Sequence, residues 1–260
     1  ATGVLVVMLG EATKLAPYLT GHDKAYRATI QFGRSTDTLD MDGTVTAEAP
    51  LPPWWQDVAL ARQRVEAALV GERARELQHP PVYSAIKVDG QVSHRLARRG
   101  QALQLPARAV AVREITLETV HPEGRATVTL TVQKGYYVRS LARDVGRRLR
   151  LPAHVCALQR TASGPFTLAQ AAPLNDALLG RLLPLSAAAK KALPFAKLTE
   201  SGRAKARQGQ LMTAEDFEGE APAALAAWLC GDDELVAVGE PLETGFRVVR
   251  GFVGGENLNR

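Results

Sequence analysis

The sequence predicts an α+β fold, and three observations carry that prediction. Residues 24–32 alternate so that Tyr26, Ala28, Ile30 and Phe32 share one strand face. The stretches near Val110–Val120 and Ala126–Gln133 read as two further strands. Directly after them Val138, Leu141, Ala142, Val145 and Leu149 recur at helical spacing, which marks one buried stripe of an amphipathic helix.

The remaining elements follow in chain order. The apolar run Gly3–Leu9 is too short for a membrane helix, lacks a basic leader or cleavage site, and is expected to be a buried strand. Residues 35–43 are turn-rich and acidic, yet Asp40, Asp42 and Gly43 lack the ligand spacing of a calcium loop. Pro52-Pro53 precedes a helix expected over Asp57–Val70, which Gly71 can end. Pro80-Pro81 blocks a helix, so Val82–Val88 is expected to be extended before an Asp89-Gly90 turn. In the amphipathic helix Arg139 lies about 100° round from Val138, at the margin of the buried face. Arg143 and Arg147 continue outward from it, toward solvent or a nucleic-acid backbone. Beyond Gly164-Pro165-Phe166 an alanine-rich link with Pro173, Pro184 and Pro194 leads to a small tail. That tail reads as a helix at Glu200–Arg207, a turn at Gly209, and strands at Leu235–Val238 and Phe246–Val249. Two domains are therefore expected, 1–190 and 191–260.

Composition narrows the function. The 260 residues are 46% hydrophobic without a long charge-free span, which describes a globular chain and excludes a helical membrane protein. Two cysteines, Cys156 and Cys230, imply no disulfide framework, so a reducing, cytoplasmic setting is expected. The net charge is only +5, but residues 87–160 hold fourteen basic against five acidic side chains. An arginine-rich stretch of that kind suits phosphate contacts and base stacking, so a polyanionic partner is expected. His154 and Cys156 have no second pair of ligands at suitable spacing, and no phosphate-cradling glycine loop occurs. What is left is a cofactor-free reaction or pure binding.

Several short motifs, taken in order, resemble one known family. They are Ala1-Thr2-Gly3-Val4-Leu5, Gly10-Glu11-Ala12-Thr13-Lys14, Asp23–Ala28, Thr36-Asp37-Thr38 with Asp40, Pro80–Lys87, Ala97–Gly100, Lys134-Gly135 with Tyr137-Val138-Arg139, and Gly164-Pro165-Phe166. Over residues 1 to about 166 this is the pattern of TruB-type tRNA pseudouridine synthases. The tail from about Lys197 is similar to a PUA-like RNA-binding module.

The resemblance implies a pseudouridine synthase fold with a mixed, mostly antiparallel sheet. It also implies isomerisation of one uridine in the T loop of tRNA, at position 55, after that base is flipped out of the loop. No metal and no organic cofactor is implied, the partner is the T arm of tRNA, and the protein is expected to act as a cytoplasmic monomer. Residue by residue, Tyr26 matches the aromatic that stacks on the flipped base, and Arg139 the arginine that pairs with the nucleophilic aspartate. Tyr137 and Leu158 match pocket walls, while Asp37 and Asp40 match an acidic loop beside the site. Lys87, Arg98 and Arg160 are expected RNA contacts. The family's aspartate belongs to a Gly-x-x-Asp-Pro-x-Ala-Thr-Gly stretch, and this sequence opens at Ala1-Thr2-Gly3. The nucleophile is therefore expected three residues before Ala1, so the 260 residues alone are expected to be inactive and truncated. Smaller departures are Tyr136, Gln133 and the pair Ser93-His94, which bear on the pocket rim. The other reading is a non-catalytic RNA-binding or RNA-folding protein on the same scaffold.

Overall fold

The computed structural model describes residues 1–88, 91–98, 105–175, 180–231 and 233–253, with the backbone alone at Val88, Val92, His94 and Arg98. The expected Asp89-Gly90 turn and the side chain of Arg98 lie outside the described residues. The chain forms two compact units, one of Ala1–Leu5 with His22–Ala169 and one of Val6–Gly21 with Gln170–Arg260. This division runs at 169/170 instead of the expected 190/191, and it sends an N-terminal segment to the second unit.

The first unit is built on a mixed sheet. Its strands are β1 (Thr2–Gly3), β2 (Lys24–Phe32), β3 (Val112–His121), β4 (Arg125–Val132), β5 (Ala153–Ser163) and β6 (Phe166–Thr167). They run in the order β1-β5-β2-β4-β3, with β6 also on β5, and only β1 and β5 pair in parallel. The alternation in β2 does what its period requires: Ala28, Ile30 and Phe32 are buried, and Tyr26 packs at the edge of the same core. Two helices cover this core, α1 (Val58–Arg73) and α2 (Val138–Leu149). The stripe of α2 is buried at Val138, Leu141, Ala142 and Val145, as its spacing predicts.

Three local expectations fail for identifiable reasons. The run Gly3–Leu9 is a strand only at its start, and Leu5, Val7 and Leu9 are exposed. β1 pairs with β5 only at Gln159 and Arg160, because β6 occupies the same edge of β5 from Ala162 onward. Helix α1, capped by the Asp57 side chain on the amides of Ala59 and Leu60, runs through Gly71 to Arg73. Gly71 leaves room for the Arg148 guanidinium: a Cβ at that position would lie 1.4 Å from it, so that side-chain end would have to shift. Residues 82–85 bend instead of extending, with strand only at Lys87–Val88. Their carbonyls serve side chains, since Val82 accepts from Ser93 and Tyr83 from Arg139.

The second unit holds a five-stranded sheet in the order β8-β7-β9-β10-β11, where β7 is Phe195–Leu198, β8 Phe217–Glu218, β9 Ala226–Cys230, β10 Glu234–Leu242 and β11 Gly245–Gly251. Helices α3 (Leu185–Ala192) and α4 (Glu200–Arg207) belong to it, and Thr199 caps α4 through the Gly202 amide. Trp228 fills its core edge-on to Phe217, leaving no room for a Cβ at Gly239. The early segment is tied in at its far end: Lys14 donates to the Gly251 carbonyl, and Glu11 accepts from the Val253 amide. No described helix is long and apolar enough to cross a membrane.

Candidate active site

The sharp passage from β4 into α2 sets up the site. Gly135 takes a positive φ of 87°, a conformation open to glycine, and Tyr137 then stands extended as the N-cap of α2. Consecutive side chains diverge across this turn. Tyr136 is buried and donates a 3.4 Å hydrogen bond to Glu72, whereas Tyr137 stays half-buried on the other side. Burial first, and then the nearby Glu72 charge, push the Tyr136 phenol well above its ordinary value. Tyr136 therefore belongs to the core and not to the pocket rim where its position in the motif put it.

Gln78, itself buried, holds the other tyrosine from both sides. Its Oε1 accepts from the Tyr137 amide at 2.9 Å, and its Nε2 donates to the Tyr137 carbonyl at 3.2 Å. The carbonyl also accepts from the Leu141 amide at 3.2 Å, so the amide is the group that depends on Gln78, and leaving it unpaired would cost about 1–3 kcal/mol. The N-cap residue, two positions before Arg139, is thus fixed by a side chain from a distant segment. Sequence reasoning missed Gln78; its position next to Pro80-Pro81, where side chains must substitute for backbone pairing, was the available signal.

Arg139, one residue into α2, gathers three acceptors. Its Nη1 donates to the Thr38 carbonyl at 2.8 Å and to Asp40 Oδ2 at 3.2 Å, and its Nη2 donates to the Tyr83 carbonyl at 2.7 Å. Asp40 is held in turn, with Oδ1 accepting from the Thr38 hydroxyl at 2.6 Å and from the Asp42 amide at 3.2 Å. Asp37 organises the same loop, accepting from the amides of Thr38 and Thr44, both at 2.8 Å. Leu39 between them has φ 62°, and its carbonyl accepts from the Val155 amide of β5, which docks the loop against the sheet. Arg139 and Asp40 remain 23% and 30% exposed, so the pair faces an opening instead of being sealed in.

The other expected residues lie on further elements of the first unit. Tyr26 lies opposite Leu130 on one neighbouring strand and Arg160 on the other. Leu158 of β5, opposite Ala28, packs half-buried on the core that also holds Tyr26 and Val138. Among the described residues the hydroxyls of Tyr26 and Tyr137 have no hydrogen-bond partner. Arg160 donates to the Val4 carbonyl at 2.6 Å, so its guanidinium is partly committed to the fold. Burial, and then the Arg160 charge, hold the Lys24 ammonium below the usual lysine range. Lys87 is exposed in a two-residue strand paired with Gln91–Val92. Arg143 does not step outward as expected: it is folded onto Asp144 and the His79 carbonyl. The charge of the 87–160 stretch is also lower in space than along the chain. Arg113, Arg139 and Arg148 are paired with Asp23, Asp40 and Glu72, all from earlier segments.

This architecture is shared with known proteins. Residues 1–138 match the TruB family pseudouridylate synthase (N terminal domain). The chain belongs to the TruB family of pseudouridine synthases. A tRNA pseudouridine synthase B of Zymomonas mobilis is 38% identical over 260 residues, covering 97% of this chain and 81% of that protein. One of Symbiobacterium thermophilum is 45% identical over 210 residues, covering 79% and 67%. Among solved structures, a Cbf5-Nop10-Gar1 complex contains a chain similar in fold, with TM-score 0.65 at 20% identity, covering 97% of this chain and 72% of that one. The TruB family match and the mixed, mostly antiparallel sheet agree with the α+β pseudouridine synthase fold expected from the sequence.

Proposed function

We propose that this protein converts the uridine at position 55 in the T loop of tRNA into pseudouridine. The observation that carries this reading is the guanidinium of Arg139, fixed at the start of α2 by Asp40 and two backbone carbonyls. Uridine and pseudouridine are isomers: the N1–C1′ bond breaks, a C5–C1′ bond forms, C5 loses a proton and N1 gains one. No redox cofactor is required by that balance. Tyr26 stacks on the flipped uracil, Tyr137 and Leu158 wall the pocket, and Arg139 keeps the attacking carboxylate ionised and oriented. Lys87, Arg98 and Arg160 contact the RNA. The second unit acts as a PUA-like RNA-binding module.

The nucleophile is assigned to the aspartate of the family stretch that ends in Ala1-Thr2-Gly3. The chain's own candidates have other duties, since Asp23 pairs with Arg113, Asp37 caps the loop, and Asp40 holds Arg139. The test is tritium release from C5-labelled uridine in tRNA. A protein carrying that stretch ahead of Ala1 should release tritium, and its Asp-to-Asn form and the 260 residues alone should not. Release by the 260 residues alone would place the nucleophile among their own aspartates. Tight tRNA binding without release by the aspartate-bearing protein would reduce the function to RNA binding.

A further inference from the structure

At the opposite end of α2 from Arg139, the first unit holds a cavity of about 750 Å³ that the reaction above does not use. That volume lies within the range of roughly 300–1,000 Å³ typical of small-molecule sites. Pro50, Pro52 and the Trp54 ring supply its flat apolar wall, and Arg64, Arg148 and Arg150 supply its charge. Among the described residues no acidic side chain lines it. Arg148 is anchored, donating to the Ala68 carbonyl at 3.1 Å and lying 3.5 Å from the buried Glu72. Arg64 lies over the Trp54 ring at 4.7 Å. Among the described residues the guanidiniums of Arg64 and Arg150 have no carboxylate or carbonyl partner. Arg150 also ends α2 in the left-handed region, with φ 57°, a conformation that glycine adopts more readily.

We propose that this pocket binds a nucleoside phosphate. An anion is selected because three guanidiniums converge on one concave surface with a single carboxylate among their partners, so their field is not cancelled. A planar base is selected because an indole already covered by a guanidinium is a stacking surface, and stacking tolerates any base. The base replaces Arg64 on Trp54, and Arg64 then joins Arg148 and Arg150 on the phosphate. The same chemistry is offered by a free nucleotide and by one nucleotide of an RNA strand.

Calorimetric titration with adenosine 5′-monophosphate and, separately, equilibrium binding of tRNA over a salt series distinguish these sources. Both use the full chain and its Arg64→Gln/Arg150→Gln variant, whose altered side chains are exposed. For a free nucleotide, the monophosphate binds the wild type and at least tenfold more weakly to the variant, while tRNA affinity is unchanged. For an RNA strand, the variant loses at least fivefold in tRNA affinity at low salt, and its log–log salt slope falls by about one to two. Arg150→Gln alone, which leaves the Arg64–Trp54 stack in place, should give a smaller loss in the same assay. If neither ligand distinguishes the variant from the wild type, the pocket is not a nucleotide site.

Discussion

At the N-terminal end of α2 the guanidinium of Arg139 is committed to Asp40, the Thr38 carbonyl and the Tyr83 carbonyl, whereas at the C-terminal end the guanidinium of Arg150 makes no such contact among the described residues. The two arginines stand eleven residues apart on one helix, about 16 Å at the α-helical rise. They differ in what they can do. A guanidinium with fixed partners is a directional device that places its remaining edge at one point, and it has little freedom to follow a mobile ligand. An uncommitted guanidinium on an open pocket is a source of attraction that many geometries satisfy. The number of basic residues along a sequence does not separate these cases. Committed partners do.

Conservative replacement should expose the contrast most strongly. Arg139→Lys, in the aspartate-bearing protein, cannot reach three separated acceptors with one ammonium, and tritium release should fall by at least ~100-fold, about 3 kcal/mol of barrier. Arg150→Lys should stay within about threefold of the wild type in tRNA binding, because a point charge suffices there. Equal sensitivity at both ends would erase the distinction. Next in size is Gln78→Leu, which leaves the Tyr137 amide unpaired while its carbonyl keeps the Leu141 amide, and should cost ~1–3 kcal/mol in urea unfolding. An unchanged urea midpoint would mean that Gln78 does not hold the start of α2.

The C-terminal end has its own support to test. Gly71→Ala should destabilise by about 1–3 kcal/mol, because the new methyl collides with the guanidinium of Arg148 and displaces it from Ala68 and Glu72. Helix propensity works against this by roughly 1 kcal/mol, so a stabilised variant would show that Arg148 moves aside freely. The smallest effect is expected at Tyr136→Phe, which removes a long 3.4 Å hydrogen bond to Glu72. Its cost near neutral pH should be below ~1 kcal/mol, with tritium release unchanged. Its pH signature is more telling. The raised phenol leaves stability intact below the ordinary value of 10.0, and stability is lost above it as the unfolded chain ionises. Alkaline unfolding that is the same in Tyr136→Phe would place the titrating group elsewhere.

Much of the first unit was legible in the residues. The period of two in β2 and the stripe of α2 are local features, and each folded as its spacing required. In the second unit the Glu200–Arg207 helix was found to the residue, but β7 and β9 were missed because their alanines give little strand signal. The site was half legible. The family motifs singled out Tyr137, Arg139 and Asp40, and nothing in them announced that Tyr136 would turn inward, that Gln78 would brace Tyr137, or that Arg143 would be folded onto Asp144.

What the sequence determined by itself is whatever repeats within a few residues: which faces are apolar, and which short motifs mark the TruB family. The tertiary structure decided which charges cancel and which strand edges are taken. Arg139 meets Asp40 across 99 positions of chain, and β1 yields the edge of β5 to β6. Helix and strand periods reach only the next turn or pleat. Ion pairing and edge occupancy depend on distance in space, which only the folded chain sets.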